Sequence, residues 1–308
     1  MNQSTYSLLV VDDEIEIRSL IVEFLRDFEK YTVFEAENAQ AALDLLEQQP
    51  VDLVLSDINM PGMKGFELLR EVRIKYPATK RVLITAYNVE NYLELALKHD
   101  IGNIFVKTTP FNFEELSTIL SNLLSSNIFG IDKYFSSHVE QIQFNITNCK
   151  GLDTHASKIV SFIGNVPYAK KLELVIIELL TNAIFYGIRE ESAENKEKWE
   201  HNFVLPESQA VRVSIAKDNE KFAISINDPG GKLKKSDVLY WLHRQIAHDE
   251  DGLPLGLYDS HGRGLFITRK YIDRLIINID QTRRTEIIII NYFENTFIGY
   301  KPLYINEL

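Results

Sequence analysis

The chain has 308 residues, 45% of them hydrophobic and 25% charged, with a formal net charge of −11. That length accommodates two folded domains, and the acidic balance argues against a protein that binds nucleic acid by neutralising phosphates. The single cysteine, Cys149, excludes an intramolecular disulfide and fits a reducing compartment.

The first half alternates short β-rich runs with amphipathic segments. Strands are expected at Ser7–Val11, Tyr31–Ala36, Val51–Ser56, Arg81–Thr85 and Asn103–Val106. Helices are expected between them, at Glu14–Phe28, Ala39–Gln49, Gly65–Tyr76, Val89–His99 and Phe113–Ser125. Strict alternation predicts a doubly wound, five-stranded parallel sheet of order 2-1-3-4-5, a flavodoxin-like α/β fold. The join lies near Ser125–Val139, where the last helix decays into Ser, Asn and Gly, so the domains are read as 1–126 and 127–308.

The second half reads differently. An extended stretch at Gln143–Ile146 leads to helices at Thr154–Ile163 and Lys171–Tyr186, then strands at Val211–Ala216 and Phe222–Asn227. A polar connector with a helical patch at Ser236–Ile246 follows. A helix from Arg263 and two closing strands, Leu275–Asp280 and Thr285–Phe293, complete an expected α/β sandwich. No charged-then-apolar leader and no membrane-length apolar run is read, so a cytoplasmic location with no membrane partner is expected.

Four of the five early strands end in residues suited to phosphoryl chemistry. Asp12 and Asp13 follow the first, Asp57 the third, Thr85 the fourth and Lys107 the fifth. Open parallel sheets bind ligands at the carboxyl ends of their strands, so these residues are expected to meet in one pocket. Clustered carboxylates repel one another, and a hard divalent cation such as Mg²⁺ relieves that cost. Lys107 balances an incoming phosphoryl group, and Thr85 offers a hydroxyl to one of its oxygens. Asp and Thr after strands are also plain turn formers; that reading suits any one of them and suits the whole set poorly.

Residues 5–126 resemble the response-regulator receiver family. The resemblance rests on Leu8-Leu9-Val10-Val11-Asp12-Asp13-Glu14, Ser56-Asp57-Ile58-Asn59-Met60-Pro61-Gly62-Met63, Thr85-Ala86 and Lys107. It implies that Asp57 is the phosphoacceptor and that Asp12, Asp13 and the Asn59 carbonyl help hold Mg²⁺. It also implies an upstream histidine kinase or phosphotransfer protein. Two departures stand out: Thr108 and Thr109 intervene before Pro110, and Ile104 falls where the family carries its switch aromatic.

In the second half, Glu178, Asn182 and Tyr186 are spaced by four and share one stripe of an otherwise apolar helix, which is expected to be buried. A buried carboxylate and amide need partners, from neighbouring backbone or from a ligand. Asn227-Asp228-Pro229-Gly230-Gly231 forms a turn after a strand, and His261-Gly262-Arg263-Gly264-Leu265 opens a helix whose N–H groups can face phosphates.

That order, over roughly 140–295, resembles the GHKL ATPases, and within them the anti-sigma-factor serine kinases. The resemblance implies that Asn182 holds Mg²⁺ and Asp228 accepts a hydrogen bond from the adenine amino group of ATP. By the same resemblance Gly230 shapes the pocket, Gly262 and Gly264 approach the phosphates, Thr285 supports the base, and Glu178 is the general base. The connector from Lys232 to Ser260 becomes a lid, with Lys232, Lys234, Lys235 and Arg263 able to reach phosphate or simply solvated. The serine kinases carry histidine where this chain has Tyr186.

Two output functions remain open. One is a serine/threonine kinase acting on an anti-sigma-antagonist-like or sigma-factor-like protein; the other is an ATP-gated binding module without phosphoryl transfer. A hybrid histidine kinase is set aside, because Ser126–Glu173 holds no long helix hairpin and His138 and His155 read as ordinary surface histidines. No DNA-reading helix pair is read. A homodimer is one expected means of control.

Overall fold

The computed structural model describes residues 5–136, 139–191, 203–249, 251–253, 255–256, 262–294 and 296–308. The chain divides into two compact units. The first comprises Met1–Ile128 with Phe297–Leu303, and the second Phe129–Thr296 with Tyr304–Leu308. The short C-terminal segment in the first unit distinguishes this division from a single cut near residue 126.

In the first unit, β1 (Tyr6–Val11), β2 (Tyr31–Ala36), β3 (Leu53–Asp57), β4 (Lys80–Thr85) and β5 (Asn103–Val106) pair in parallel in the order β2-β1-β3-β4-β5. The apolar interior of β1, β3 and β5 is buried on both faces, as parallel strands require. Helix α1 (Ile15–Arg26) turns Ile21, Val22 and Leu25 inward, a helical spacing. Helices α2 (Ala39–Gln48) and α5 (Phe113–Ser125) start where Asn38 and Asn112 accept from the amides of Ala41 and Glu115. Helix α3 (Gly65–Lys75) lies between β3 and β4. The segment expected as one helix from Val89 is a 3-10 turn, Val89–Tyr92, followed by α4 (Leu93–His99), because Asn88 caps the turn through the Glu90 amide.

The second unit comprises β6 (Glu140–Ile146), α6 (Leu152–Ile163), α7 (Ala169–Thr181), β7 (Val211–Lys217), β8 (Lys221–Asp228), α8 (Lys235–Arg244), α9 (Gly264–Tyr271), β9 (Arg274–Asp280), β10 (Arg284–Tyr292) and β11 (Leu303–Glu307). Strands β6-β7-β8-β10-β9 are antiparallel neighbours, and β11 adds to β9 in parallel. The β7–β8 hairpin is closed by Asp218, whose Oδ1 accepts from the amides of Glu220 and Lys221 at 2.8 Å each.

Three sequence expectations are corrected here. The helix read as running to Tyr186 is α-helical only to Thr181 and continues as a π-helix over Asn182–Ile188. Its surface is not apolar and buried all round: Leu174 is 67% exposed, and Glu178, Asn182 and Tyr186 are half-buried. The sheet does not end at β10, because β11 follows.

A buried polar ladder explains how β11 joins. The Glu286 carboxylate on β10 accepts from Ser225 Oγ on β8 at 2.6 Å, Asn278 Nδ2 on β9 at 3.1 Å and the Gly130 amide at 2.9 Å. Asn306 Nδ2 on β11 then donates to Asn278 Oδ1 at 2.8 Å. Three donors offset the desolvation of a carboxylate that is almost fully buried.

Candidate functional site

At the carboxyl ends of β1, β3 and β5 the structure brings Asp12, Asp57 and Lys107 together. Lys107 Nζ donates to Asp57 Oδ1 at 2.7 Å and to Asp12 Oδ2 at 2.9 Å, with Glu14 Oε1 at 3.8 Å. The other Asp57 oxygen accepts from the Asn59 amide at 2.6 Å, and Asp12 Oδ1 from the Glu14 amide at 3.0 Å. Asp12 and Asp57 are buried, while Asp13 beside them is exposed. Burial pushes the Asp12 carboxyl above its ordinary range, and Lys107 offsets this only in part. Burial also pulls Lys107 down, but the adjacent Asp57 and Asp12 outweigh it and leave the ammonium above its usual value. Thr85, at the end of β4, is buried, and its hydroxyl oxygen accepts from the Tyr87 amide at 3.0 Å. Among the described residues, no three His, Cys, Asp or Glu side chains already stand together as a metal cage.

Three contributors were not singled out from sequence. Arg18 NH1 donates to the Asp12 carbonyl at 2.5 Å while its Nε reaches Glu35 Oε2 at 3.2 Å, fixing the end of β1. Tyr92 Oη accepts from Asn59 Nδ2 at 2.9 Å. Gly65, the first residue of α3, lies against the Asp57 carbonyl: a Cβ there falls 2.0 Å from that oxygen. A glycine opening a helix is costly unless close approach demands it, and that was the available signal. Gly65→Ala is therefore expected to displace the Asp57–Met60 loop. Faster hydrogen exchange at the amides of positions 58 and 65 is the expected result; wild-type exchange there would contradict it.

In the second unit, Asp228 ends β8 and stands directly opposite Thr285 of β10. Asp228 is enclosed: a Cβ on Gly187 falls 2.7 Å from its carboxyl, and a Cβ on Gly230 falls 1.7 Å from the Gly187 carbonyl. Gly187, in the π-helix, was not identified from sequence, although glycine in an apolar helix is itself a signal. The amide of Gly230 donates to Asp228 Oδ1 at 3.0 Å. Burial nonetheless pushes the Asp228 carboxyl up to about 7, with the Gly230 and Gly231 amides pulling the other way. Thr285 Oγ1 is buried without a hydrogen-bond partner.

The remaining expected site residues lie along α7, its π-helical extension and the start of α9. Glu178 packs against Gly264, where a Cβ falls 2.3 Å from Glu178 Oε1. Asn182 opens the π-helix and Tyr186 lies within it; burial and the neighbouring Glu178 raise the Tyr186 phenol above its ordinary value. Gly262, at φ +80°, packs under the Trp241 ring of α8. Arg263 is exposed, and its NH2 donates to the Gly256 carbonyl at 3.2 Å. Of the connector lysines, Lys232 pairs with Glu190 at 2.8 Å and Lys235 with Glu307 at 3.5 Å, while Lys234 is exposed. His261, His138 and part of the expected lid lie outside the described residues. No described helix is long and apolar enough to cross a membrane.

Comparison with known proteins bears most directly on the first unit, and one relative aligns into the second. The profile of the response regulator receiver domain matches residues 8–121. "Sporulation initiation phosphotransferase F" of Bacillus subtilis is 30% identical over 117 residues, 38% of this chain and 92% of that protein. "Transcriptional regulatory protein MalR" of the same organism is 26% identical over 267 residues, 86% of this chain and 99% of that protein. Among solved structures, chemotaxis response regulator CheY4 of Vibrio cholerae matches 38% of this chain and 98% of its own, at 31% identity and a TM-score of 0.35. With the Asp12, Asp57, Thr85 and Lys107 strand ends on adjoining strands, the receiver-domain profile and the 30%-identical phosphotransferase F identify the chain, through residues 8–121, as a member of the response regulator receiver family.

Proposed function

We propose that this chain is a response regulator in which Asp57 accepts a phosphoryl group and the second unit is an ATP-binding output module of the GHKL type. The receiver family belongs to two-component signalling, draws on an upstream histidine kinase or phosphodonor, and binds Mg²⁺ at its phosphorylation site. The residues fit that ion. Asp12, Asp13 and Asp57 offer carboxylate oxygens and Asn59 a carbonyl, all hard donors, and the upward pull of burial on Asp12 is a cost that a divalent cation relieves. In the transfer itself, an Asp57 oxygen forms a bond to phosphorus as the bond from phosphorus to the donor breaks. Lys107 and the Thr85 hydroxyl receive the phosphoryl oxygens.

The observation carrying the output reading is the enclosed Asp228 carboxyl together with the unpartnered Thr285 hydroxyl on the residue directly opposite in the sheet. Both are costly to bury unless a ligand with a polar edge completes them. The adenine edge of ATP offers an amino donor to Asp228, supported by Thr285 and Gly230. On this reading Asn182 holds Mg²⁺, Gly262, Arg263 and Gly264 approach the phosphates, and Glu178 is the base of a serine/threonine kinase acting on an anti-sigma-antagonist-like or sigma-factor-like protein. Calorimetry with Mg-ATP tests the pocket. Asp228→Ala is expected to lose about 1.5–3 kcal/mol of affinity, and equal affinity in both proteins would overturn the reading.

The packing of Glu178 against Gly264 favours a second version, an ATP-gated binding module without transfer. Transfer of label from ATP to Ser or Thr of a partner, lost in Glu178→Gln, selects the kinase. A DNA-binding output is a third outcome, motivated by the name of the MalR relative. Salt-dependent retention of duplex DNA by the full chain would select it.

A further inference from the structure

The receiver unit is completed by residues from the far end of the chain. Phe297–Leu303 belong to the first unit, although the 168 residues of Phe129–Thr296 that precede them do not. Ile298 forms an antiparallel bridge with Thr109: the Thr109 amide donates to the Ile298 carbonyl at 2.8 Å, and the Ile298 amide donates back at 3.0 Å. Gly299 lies on the buried Thr108, where a Cβ falls 3.1 Å from Thr108 Cγ2. Thr108 is itself fixed, its hydroxyl donating to the Pro110 carbonyl at 2.7 Å. These are the residues intervening between Lys107 and Pro110, and the segment gives them a use.

Thr109 is two residues from Lys107, whose ammonium lies between Asp12 and Asp57. Two residues span at most about 7 Å, so a shift of the lysine backbone is passed to the bridge with little slack. On its other side the segment runs directly into β11, whose Tyr304–Glu307 pair in register with Ile276–Ile279 of β9. Ile279 in turn stands opposite Thr285.

We propose that residues 297–303 form a strap that reads the phosphoryl state at Asp57 from the Lys107–Thr109 loop and carries it along the chain into β11 and β9. A phosphoryl group adds charge next to Lys107 and draws the ammonium toward its oxygens. The loop follows, and the Thr109–Ile298 bridge moves with it or opens. The strap needs no change on the receiver's helices, which suits a chain with Ile104 where the family's switch aromatic stands. The proposal rests on the reading of Asp57 as phosphoacceptor, and the experiment separates the two.

The experiment is hydrogen exchange on the full chain with Mg²⁺, with and without beryllofluoride, whose binding is measured in parallel by calorimetry. In the wild type, exchange at the Thr109 and Ile298 amides and across Ile276–Ile279 is expected to change by about tenfold. In Ile298→Pro, which removes one bridge donor, and in Gly299→Leu, which crowds Thr108, beryllofluoride still binds but the change at Ile276–Ile279 is lost. Binding without any wild-type change at those amides, or with the same change in a folded strap variant, overturns the strap. Absence of beryllofluoride binding in the wild type overturns the Asp57 assignment, and the strap with it.

Discussion

Asp57→Asn is expected to abolish formation of a phosphorylated, base-labile form of the chain when it is incubated with acetyl phosphate and Mg²⁺. The carboxylate is buried, its Oδ1 accepts from Lys107 at 2.7 Å and its Oδ2 from the Asn59 amide at 2.6 Å. Both oxygens are thus oriented before a donor arrives, which is the entropic part of catalysis by positioning. An asparagine keeps the shape but lacks the anionic oxygen that attacks phosphorus. It also leaves Lys107 hydrogen-bonded to one carboxylate, Asp12, instead of two, so the loss is not confined to the nucleophile. Lys107→Met isolates the other half of the arrangement. It keeps Asp57 yet removes the charge proposed to receive the phosphoryl oxygens, so the rate is expected to fall by at least about a hundredfold. Intact-mass measurement reads both results. An 80 Da adduct persisting in Asp57→Asn would show that the acceptor lies elsewhere.

The second large effect concerns pH and the buried carboxyl of Asp228. Its value of about 7 compares with an ordinary 3.8, burial being the main cause. The native state therefore keeps a proton that the unfolded chain sheds from about pH 4 upward. Stability from this group is full below the unfolded value, falls as pH rises, and levels off above about 7, with a ceiling on the order of 4 kcal/mol. Asp228→Asn lacks the titration, so hydrogen-exchange stability of the second unit in the two proteins should diverge across that window, the wild type losing ground as pH rises. Parallel curves would contradict the buried carboxyl. On the proposed adenine-pocket reading, nucleotide binding is expected to run the other way. An ionised Asp228 is the better acceptor for an amino group, so adenosine, which has no group titrating in this window, should bind about tenfold tighter at pH 8 than at pH 6. Equal adenosine affinities at the two values would remove Asp228 from base recognition.

The order of the receiver strands and the meeting of Asp12, Asp57 and Lys107 were legible in the sequence. Each strand announces itself as a short apolar run, and each of these residues follows such a run within two positions. One handedness rule then turns linear order into a sheet whose strand ends converge. The helix starts at Ala39 and Phe113 were equally local, and the structure shows each preceded by an asparagine that accepts from an amide three residues on. What tertiary structure alone decided depends on partners distant in sequence. β11 is a five-residue strand whose Asn306 meets Asn278 and, through it, the buried Glu286; in the linear pattern those polar residues argue against an interior strand. The π-helical turn that sets Gly187 against Asp228 comes from packing between the end of α7 and the β8 turn, where helical periodicity predicts an unbroken stripe. Arg18 looks like a surface residue of α1 until the Asp12 carbonyl and Glu35 converge on its guanidinium. The strap at Ile298 is the extreme case: its hydrogen bonds are made by backbone, which every residue carries alike, so only the path of the folded chain brings it to Thr109.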